Sequence, residues 1–272
     1  MATRYSAHQR IEQRPAGAAG LAWLWLAVAA LAGSLLADAA VPGAPDFAVR
    51  ARQAYVAART LHQSSLTNLT AAWEFTSACF EWAEFATNAT QRAALAQEGI
   101  AVSRWVVEQQ PGLAAGHYYL AMNLGQLART KSLGALKLVS EMEKQFQTAS
   151  ELQATFDHAG PDRSLGLLYR DAPGWPTSVG SRAKSRRHLQ RAAELCPEFP
   201  ENLLCLLETL HHWGESKIVQ GELPRMARAL TRARADFTGD AWAASWADWD
   251  KRWEVLVAQA SPVPVHEPAN RH

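Results

Sequence analysis

Cysteine is scarce in this chain. Cys79, Cys196 and Cys205 are the only three among 272 residues, which allows at most one disulfide with a thiol left over. No spacing of Cys, His or carboxylate resembles a zinc site. An excess of one charge sign is also lacking: Lys and Arg number 27 against 26 Asp and Glu. A nucleic-acid binder would show a basic excess or stripe, and neither is present. Alternating apolar and polar stretches are absent, and turn signals arrive only every ~20 residues, too far apart for a β-rich protein. Of catalytic signatures, Gly-x-Ser-x-Gly does not occur. Ser178-Val179-Gly180-Ser181 has no preceding strand and is not a P-loop. The neighbours His211 and His212 diverge by about 100° on a helix, so they cannot share one metal. No cofactor or metal is expected, and the chain does not read as an enzyme.

What the chain does have begins with a targeting segment at residues 1–39. Arg4, Arg10 and Arg14 form a positive start, Leu21 to Leu36 is charge-free and apolar, and Ala37-Asp38-Ala39 supplies a small-x-small cleavage pattern. The alternative is an uncleaved membrane anchor, since Ala18 to Ala37 approaches the ~20 residues that span a bilayer. Either reading predicts a periplasmic or extracytoplasmic location, which an inverted anchor would reverse, with membrane contact only through this segment. Its removal takes three arginines and two acids, leaving 24 of each sign. A linker follows at 40–46, and a disordered tail is expected at 259–272, where Pro262, Pro264 and Pro268 recur.

Between them, residues 47–258 read as one helical domain. The pattern predicts helices over about 47–63, 66–87, 90–110, 113–129, 133–157, 162–171, 181–196, 200–213, 215–235 and 239–258. Internal repetition is the most informative feature. Leu120, Ala121 and Leu124 follow His117-Tyr118-Tyr119 at small-and-large spacings, and Leu165-Gly166-Leu167-Leu168-Tyr169 repeats the arrangement. Ser185, Leu189, Ala192 and Pro197 form a second kind of helix that ends on a proline and runs into Leu203 to Gly214. Val106 and Phe156 stand at the same distance before Pro111 and Pro161.

On these motifs the chain resembles the tetratricopeptide superfamily over residues 66 to 236. The resemblance implies a right-handed α-solenoid of antiparallel helix pairs. Small residues of one helix would nest under large residues of its partner, and the concave face would hold a protein or extended peptide. Departures from the strict 34-residue period are similar to the T component of tripartite ATP-independent periplasmic transporters. The departures are a long first helix pair, an extended 133–157 helix and a loop at 171–182. The features that carry the likeness are Tyr118 to Gly125, Asp157-x-x-Gly160, Leu165-Gly166-x-x-Tyr169, and a Pro/Gly/Ser loop before the helix of Ala183 and Lys184. That resemblance implies an accessory subunit of solute uptake holding a small organic acid. The lipid-attachment cysteine usual in that family is missing here.

Trp242, Trp246, Trp249 and Trp253 share one face of the last predicted helix, with Asp240, Asp248, Lys251 and Arg252 opposite. A cap over the open edge of the last repeat and a partner-docking face both fit this pattern. Glu74, Glu81 and Glu84 share a face of the second helix, as a solvated stripe or a paired acid–base site. Cys196 and Cys205 flank a proline-rich turn and are either a disulfide or, with Cys79, small buried residues. Asn68-Leu69-Thr70 and Asn88-Ala89-Thr90 match the glycosylation triplet.

The binding candidates are Tyr118, Asn123, Arg163, Tyr169, Trp175, Ser178 and Lys184. Tyr118 and Asn123 lie on a helix expected to line the concave face, where Asn123 meets either a ligand or a neighbouring backbone. Trp175 sits between Pro173-Gly174 and Pro176, in a loop that either plugs the array or presents the indole to a partner. Arg163 and Lys184 are expected to clamp a carboxylate.

Overall fold

The computed structural model describes residues 47–131 and 134–260. The expected targeting segment, the linker and the tail from residue 261 lie outside these. Among the described residues the chain forms ten α-helices, one 3-10 turn and no strand. They are α1 (Phe47–Ser64), α2 (Leu69–Glu84), α3 (Ala89–Gln109), α4 (Ala114–Ala128), α5 (Ala135–Leu152), α6 (Gly160–Asp171), α7 (Arg182–Leu195), α8 (Pro200–His212), α9 (Ser216–Asp236) and α10 (Ala243–Ala260). The 3-10 turn, Asp240–Trp242, precedes α10.

Helix starts follow local chemistry. Asn68 and Asn88 accept backbone N–H bonds from Ala71 (3.1 Å) and Gln91 (2.8 Å), satisfying donors the first turn leaves open. The two glycosylation-like triplets are thus the caps of α2 and α3. Proline in the first turn starts α6 and α8, where no N–H is required. Gly214 closes α8 at φ +77°, and the Glu215 N–H then returns to the Leu210 carbonyl at 2.9 Å.

Consecutive helices pack against one another throughout, and α2 also meets α4, α6 meets α8, and α8 meets α10. This is an array of pairs, α2/α3 to α8/α9, with α1 before it and α10 after it. The small-on-large nesting is explicit at Gly166, where an added methyl would come 2.5 Å from Leu189 Cγ. One apolar core runs from Phe80 to Ala260, and a smaller one joins Tyr55, Phe75, Ala78, Cys79, Ala83 and Leu95. The three cysteines are free and buried, so they fill the core as small side chains. Burial pushes the Cys205 thiol up to about 12.

The fold departs from the sequence pattern in three places. The fifth helix ends at Leu152, and Phe156 lies in a turn rather than near a helix end. There Asp157, His158 and Ala159 take left-handed conformations, with φ of 48°, 53° and 62°. Second, α4 does not line an open concave face: every residue from Ala114 to Gln126 is buried. Packing of α2, α3 and α5 against α4 accounts for this. At the two ends of the array, Arg50 of α1 meets Asp240 before α10 at 3.3 Å. Third, Arg252 and Asp248 do not form a solvent face. Arg252 is enclosed, bonding Glu208 (2.8 Å) and Asp248 (2.9 Å) with Glu201 at 3.6 Å. The tryptophan face packs inward as a cap, with Trp242 and Trp249 buried and Trp246 Nε1 donating to the Phe237 carbonyl at 2.7 Å.

Candidate partner-binding loop and inner corner

The loop between α6 and α7 is held by its backbone. Gly180 N–H donates to the Pro173 carbonyl (2.9 Å), Ser181 N–H to Tyr169 (2.9 Å), and Thr177 and Ser178 N–H to Gly174 (3.0 and 3.2 Å). The two sides of the loop approach so closely that a methyl at Gly180 would lie 2.0 Å from the Ala172 carbonyl oxygen. Ser181 then caps α7 through the Lys184 N–H, and Val179 packs onto the core. Inside this frame Trp175 is 88% exposed. The loop is anchored like a plug, but its tryptophan points to solvent. A rigid, exposed indole is costly in water and is the side chain most suited to anchoring a partner.

Beside the loop, Lys184 lies 4.8 Å above the Tyr169 ring with its Nζ 3.4 Å from Glu143 Oε1. The Tyr169 hydroxyl donates to Glu143 at 2.7 Å and accepts from Gln147 at 3.1 Å. These contacts tie α5, α6 and α7 together. Deeper in the same interface, buried Asp162 accepts from Ser150 (2.8 Å), His188 (2.8 Å) and Arg191 (3.2 Å). Its carboxylate oxygens both face donors of the chain, so it braces the pair and leaves no site for a substrate.

The left-handed corner at 157–159 is held from the other side. Arg163 donates to Asp157 Oδ2 (3.2 Å), the His158 carbonyl (3.2 Å) and Asn202 Oδ1 (2.8 Å), and Asn202 donates to the His158 carbonyl at 2.9 Å. Tyr118 completes the set, its hydroxyl donating to Asp157 Oδ2 at 2.7 Å. Conformations disfavoured for non-glycine residues persist because these bonds over-determine them. Burial raises the Asp157 carboxyl above its ordinary range, while Arg163 and the Tyr118 hydroxyl pull it back. Burial also lowers His158, and Arg163 adds to the effect. Burial works against the charge of Arg163, yet Glu201, Tyr118 and Asp157 together hold its proton more tightly than water does.

The seven candidates therefore separate. Trp175 and Lys184 are exposed and Ser178 is partly so, whereas Tyr118, Asn123, Arg163 and Tyr169 are buried. Asn123 bonds backbone, donating to the Thr76 and Tyr119 carbonyls at 3.0 and 2.8 Å. Arg163 and Lys184 form no joint clamp, because each already holds a carboxylate of the chain on a different element. Glu143 and Asn202 are partners that sequence reasoning missed, lying 41 and 39 positions from the residues they hold. Among the described residues no group of His, Cys, Asp and Glu is placed to hold a metal, and no helix is long and apolar enough to cross a membrane.

No family model matches the chain, and no curated protein does. Among solved structures, a thermophilic TPR protein of Thermus thermophilus matches with a TM-score of 0.55 at 15% identity, covering 77% of this chain and 92% of that one. The likeness is one of fold, and it agrees with the helix pairing and the Gly166–Leu189 nesting. The chain has the tetratricopeptide-like architecture, an all-α solenoid of stacked helix pairs.

Proposed function

We propose that this protein is an exported, non-catalytic scaffold that docks a protein partner or extended peptide at the α6–α7 loop, with Trp175 as the anchor. The observation that carries this is the 88% exposure of Trp175 on a loop locked by backbone bonds. A preformed anchor loses little entropy on binding, so its contact energy goes into affinity. Export rests on the Arg-then-apolar pattern of residues 1–39 and the small-x-small site that ends it.

The test is affinity capture from the native envelope with the whole chain and with Trp175→Ala. The expected result is one or more partners retained by the native chain and lost, or weakened ~30-fold, in the variant. Equal capture by both overturns the assignment of the loop.

A second reading, an accessory subunit of organic-solute uptake like the transporter T component, rests on the sequence features Tyr118 to Gly125 and Leu165-Gly166-x-x-Tyr169. Native mass spectrometry separates the two: a retained small molecule favours uptake, and a retained polypeptide favours the scaffold.

A further inference from the structure

We propose that the partner docked at Trp175 is an acidic peptide segment, and that Arg182 and Arg186 of α7 take one of its carboxylates between them. This deepens the loop reading and rests on it.

Charge is spread unevenly along this part of the chain. Arg182, Lys184, Arg186, Arg187 and Arg191 stand between Asp171 and Glu194 with no acid among them. The whole chain, by contrast, balances 27 basic residues against 26 acidic ones. The carboxylates that the fold brings to this stretch are Glu143, Asp162 and Glu215. Five cations against three acids leave a local surplus of positive charge. Arg187, exposed on the same helix, forms no ion pair among the described residues. Helix stability does not ask for this arrangement, since α7 has no acid in its first turn and cations there oppose the helix dipole.

Two of the five are organised as a pair. Arg182 and Arg186 lie four residues apart on one face of α7. Their guanidinium groups sit 4.7 and 5.4 Å from the centroid of the Trp213 ring, and both bond the same oxygen of Glu215, Arg182 at 2.8 Å. Like charges at this spacing repel, and the shared indole and carboxylate hold them side by side. One carboxylate does not neutralise two cations. Each guanidinium has five N–H donors, and the bonds to Glu215 and to the Trp213 carbonyl use only the Nη2 groups. The side chains of Arg182 and Arg186 are 56% and 33% exposed, so a second carboxylate can reach the remaining donors from outside. Hydrogen bonds from Arg186 first and Arg182 after it already hold the Glu215 carboxyl below its ordinary range.

The arginine pair and the exposed indole lie within reach of one peptide. Gly174 pairs backbone to backbone with Gly180, which puts Trp175 one residue and Arg182 two residues from the same closure. Chain geometry then bounds the separation of their Cα atoms at about 16 Å, the span of about five extended residues. A segment with an apolar residue against Trp175 and an Asp or Glu within about five positions meets both. Glu143 and Glu215 stand among the cations, where they repel a continuous phosphate backbone and leave room for single carboxylates, so the site favours an acidic peptide over a nucleic acid.

The experiment is selection of displayed random decapeptides on the immobilised whole chain, followed by fluorescence polarisation of the tightest peptide. The expected result is Asp or Glu enriched within about five positions of an apolar anchor, with an affinity that falls as salt is raised. The double variant Arg182→Gln and Arg186→Gln, checked by its melting curve, is expected to bind that peptide about tenfold more weakly and with a flatter salt dependence. Glu215→Gln, which removes the internal competitor, is expected to bind it more tightly. Selected peptides without acidic enrichment, equal affinity in the double variant, weaker affinity in Glu215→Gln, or tighter binding of a labelled oligothymidylate each overturns the acidic-partner assignment without touching the Trp175 anchor. Acidic peptides bound equally well by Trp175→Ala overturn the loop reading instead, and a chain that selects no peptide overturns both.

Discussion

Arg50 and Asp240 stand 190 positions apart, yet the guanidinium of one lies 3.3 Å from the carboxylate of the other. A second bond from Arg50 reaches the Asp240 carbonyl. Through this contact the first helix meets the turn before the last one. Both side chains are exposed, so the pair contributes below ~1 kcal/mol and marks where the two ends meet more than it holds them. Treatment of Arg50→Lys with a zero-length carbodiimide is expected to yield an isopeptide link to Asp240, found by peptide mass spectrometry. The Arg50→Ala chain gives none, and an unlinked Arg50→Lys chain would show that the ends stay apart.

Gly166→Ala tests the helix nesting. The new methyl would meet Leu189 Cγ at 2.5 Å and the Leu189 backbone nitrogen at 3.1 Å, so α6 and α7 must separate. A loss of about 1–3 kcal/mol is expected in urea unfolding. An unchanged midpoint would mean that the pair packs elsewhere.

Arg252→Met removes the cation among Glu201, Glu208 and Asp248. Three carboxylates are then left facing one another, at a cost of about 3–5 kcal/mol near neutral pH. Part of that loss returns in mild acid, because carboxylates deprived of their arginine bind protons more readily. Urea midpoints at the two pH values check both halves of this expectation.

Glu81 links stability to pH. Burial raises its carboxyl from 4.5 to about 7, so between these values the folded chain binds a proton that the unfolded chain does not. The contribution of this group is fully present below pH 4.5 and declines as pH rises through 7. Glu81→Gln removes the decline: relative to the native chain it is expected to be about 2–3 kcal/mol more stable at pH 8 and nearly equal at pH 4.5. Chemical unfolding across that range is the measurement, and parallel curves for the two chains would contradict it.

Gly180→Ala tests whether the loop frame matters as well as the indole. A methyl 2.0 Å from the Ala172 carbonyl forces the loop open while Trp175 stays in the sequence. Partner capture is expected to fall at least ~10-fold, with the melting temperature moved by only a few degrees. Full capture would place the affinity in the tryptophan alone.

Much of the fold was legible in order along the chain. The ten expected helices are the ten observed, most of them within three residues at each end, because apolar spacing, Asn and Ser caps and proline stops act locally. The pairing followed from Leu165-Gly166-x-x-Tyr169 and from Ser185, Leu189 and Ala192, whose small and large positions encode contacts between neighbours. Less of the candidate site was legible. The exposed position of Trp175 between its prolines fits one of the two readings of its loop, Asn123 takes the backbone tie that was one of its two readings, and Arg163, read as part of a carboxylate clamp, bonds within the chain.

Helices, their succession and their nesting were all written into the order of residues, since each depends on side chains a few positions apart. Which polar side chains are spoken for emerged only once the helices were stacked in space. Arg163 meets Asn202, Lys184 meets Glu143 and Arg50 meets Asp240 across distances along the chain that no local pattern records. Whether a charge is paired depends on how the helices curve through space, which is the sum of many small rotations. That same sum leaves Trp175 in the open.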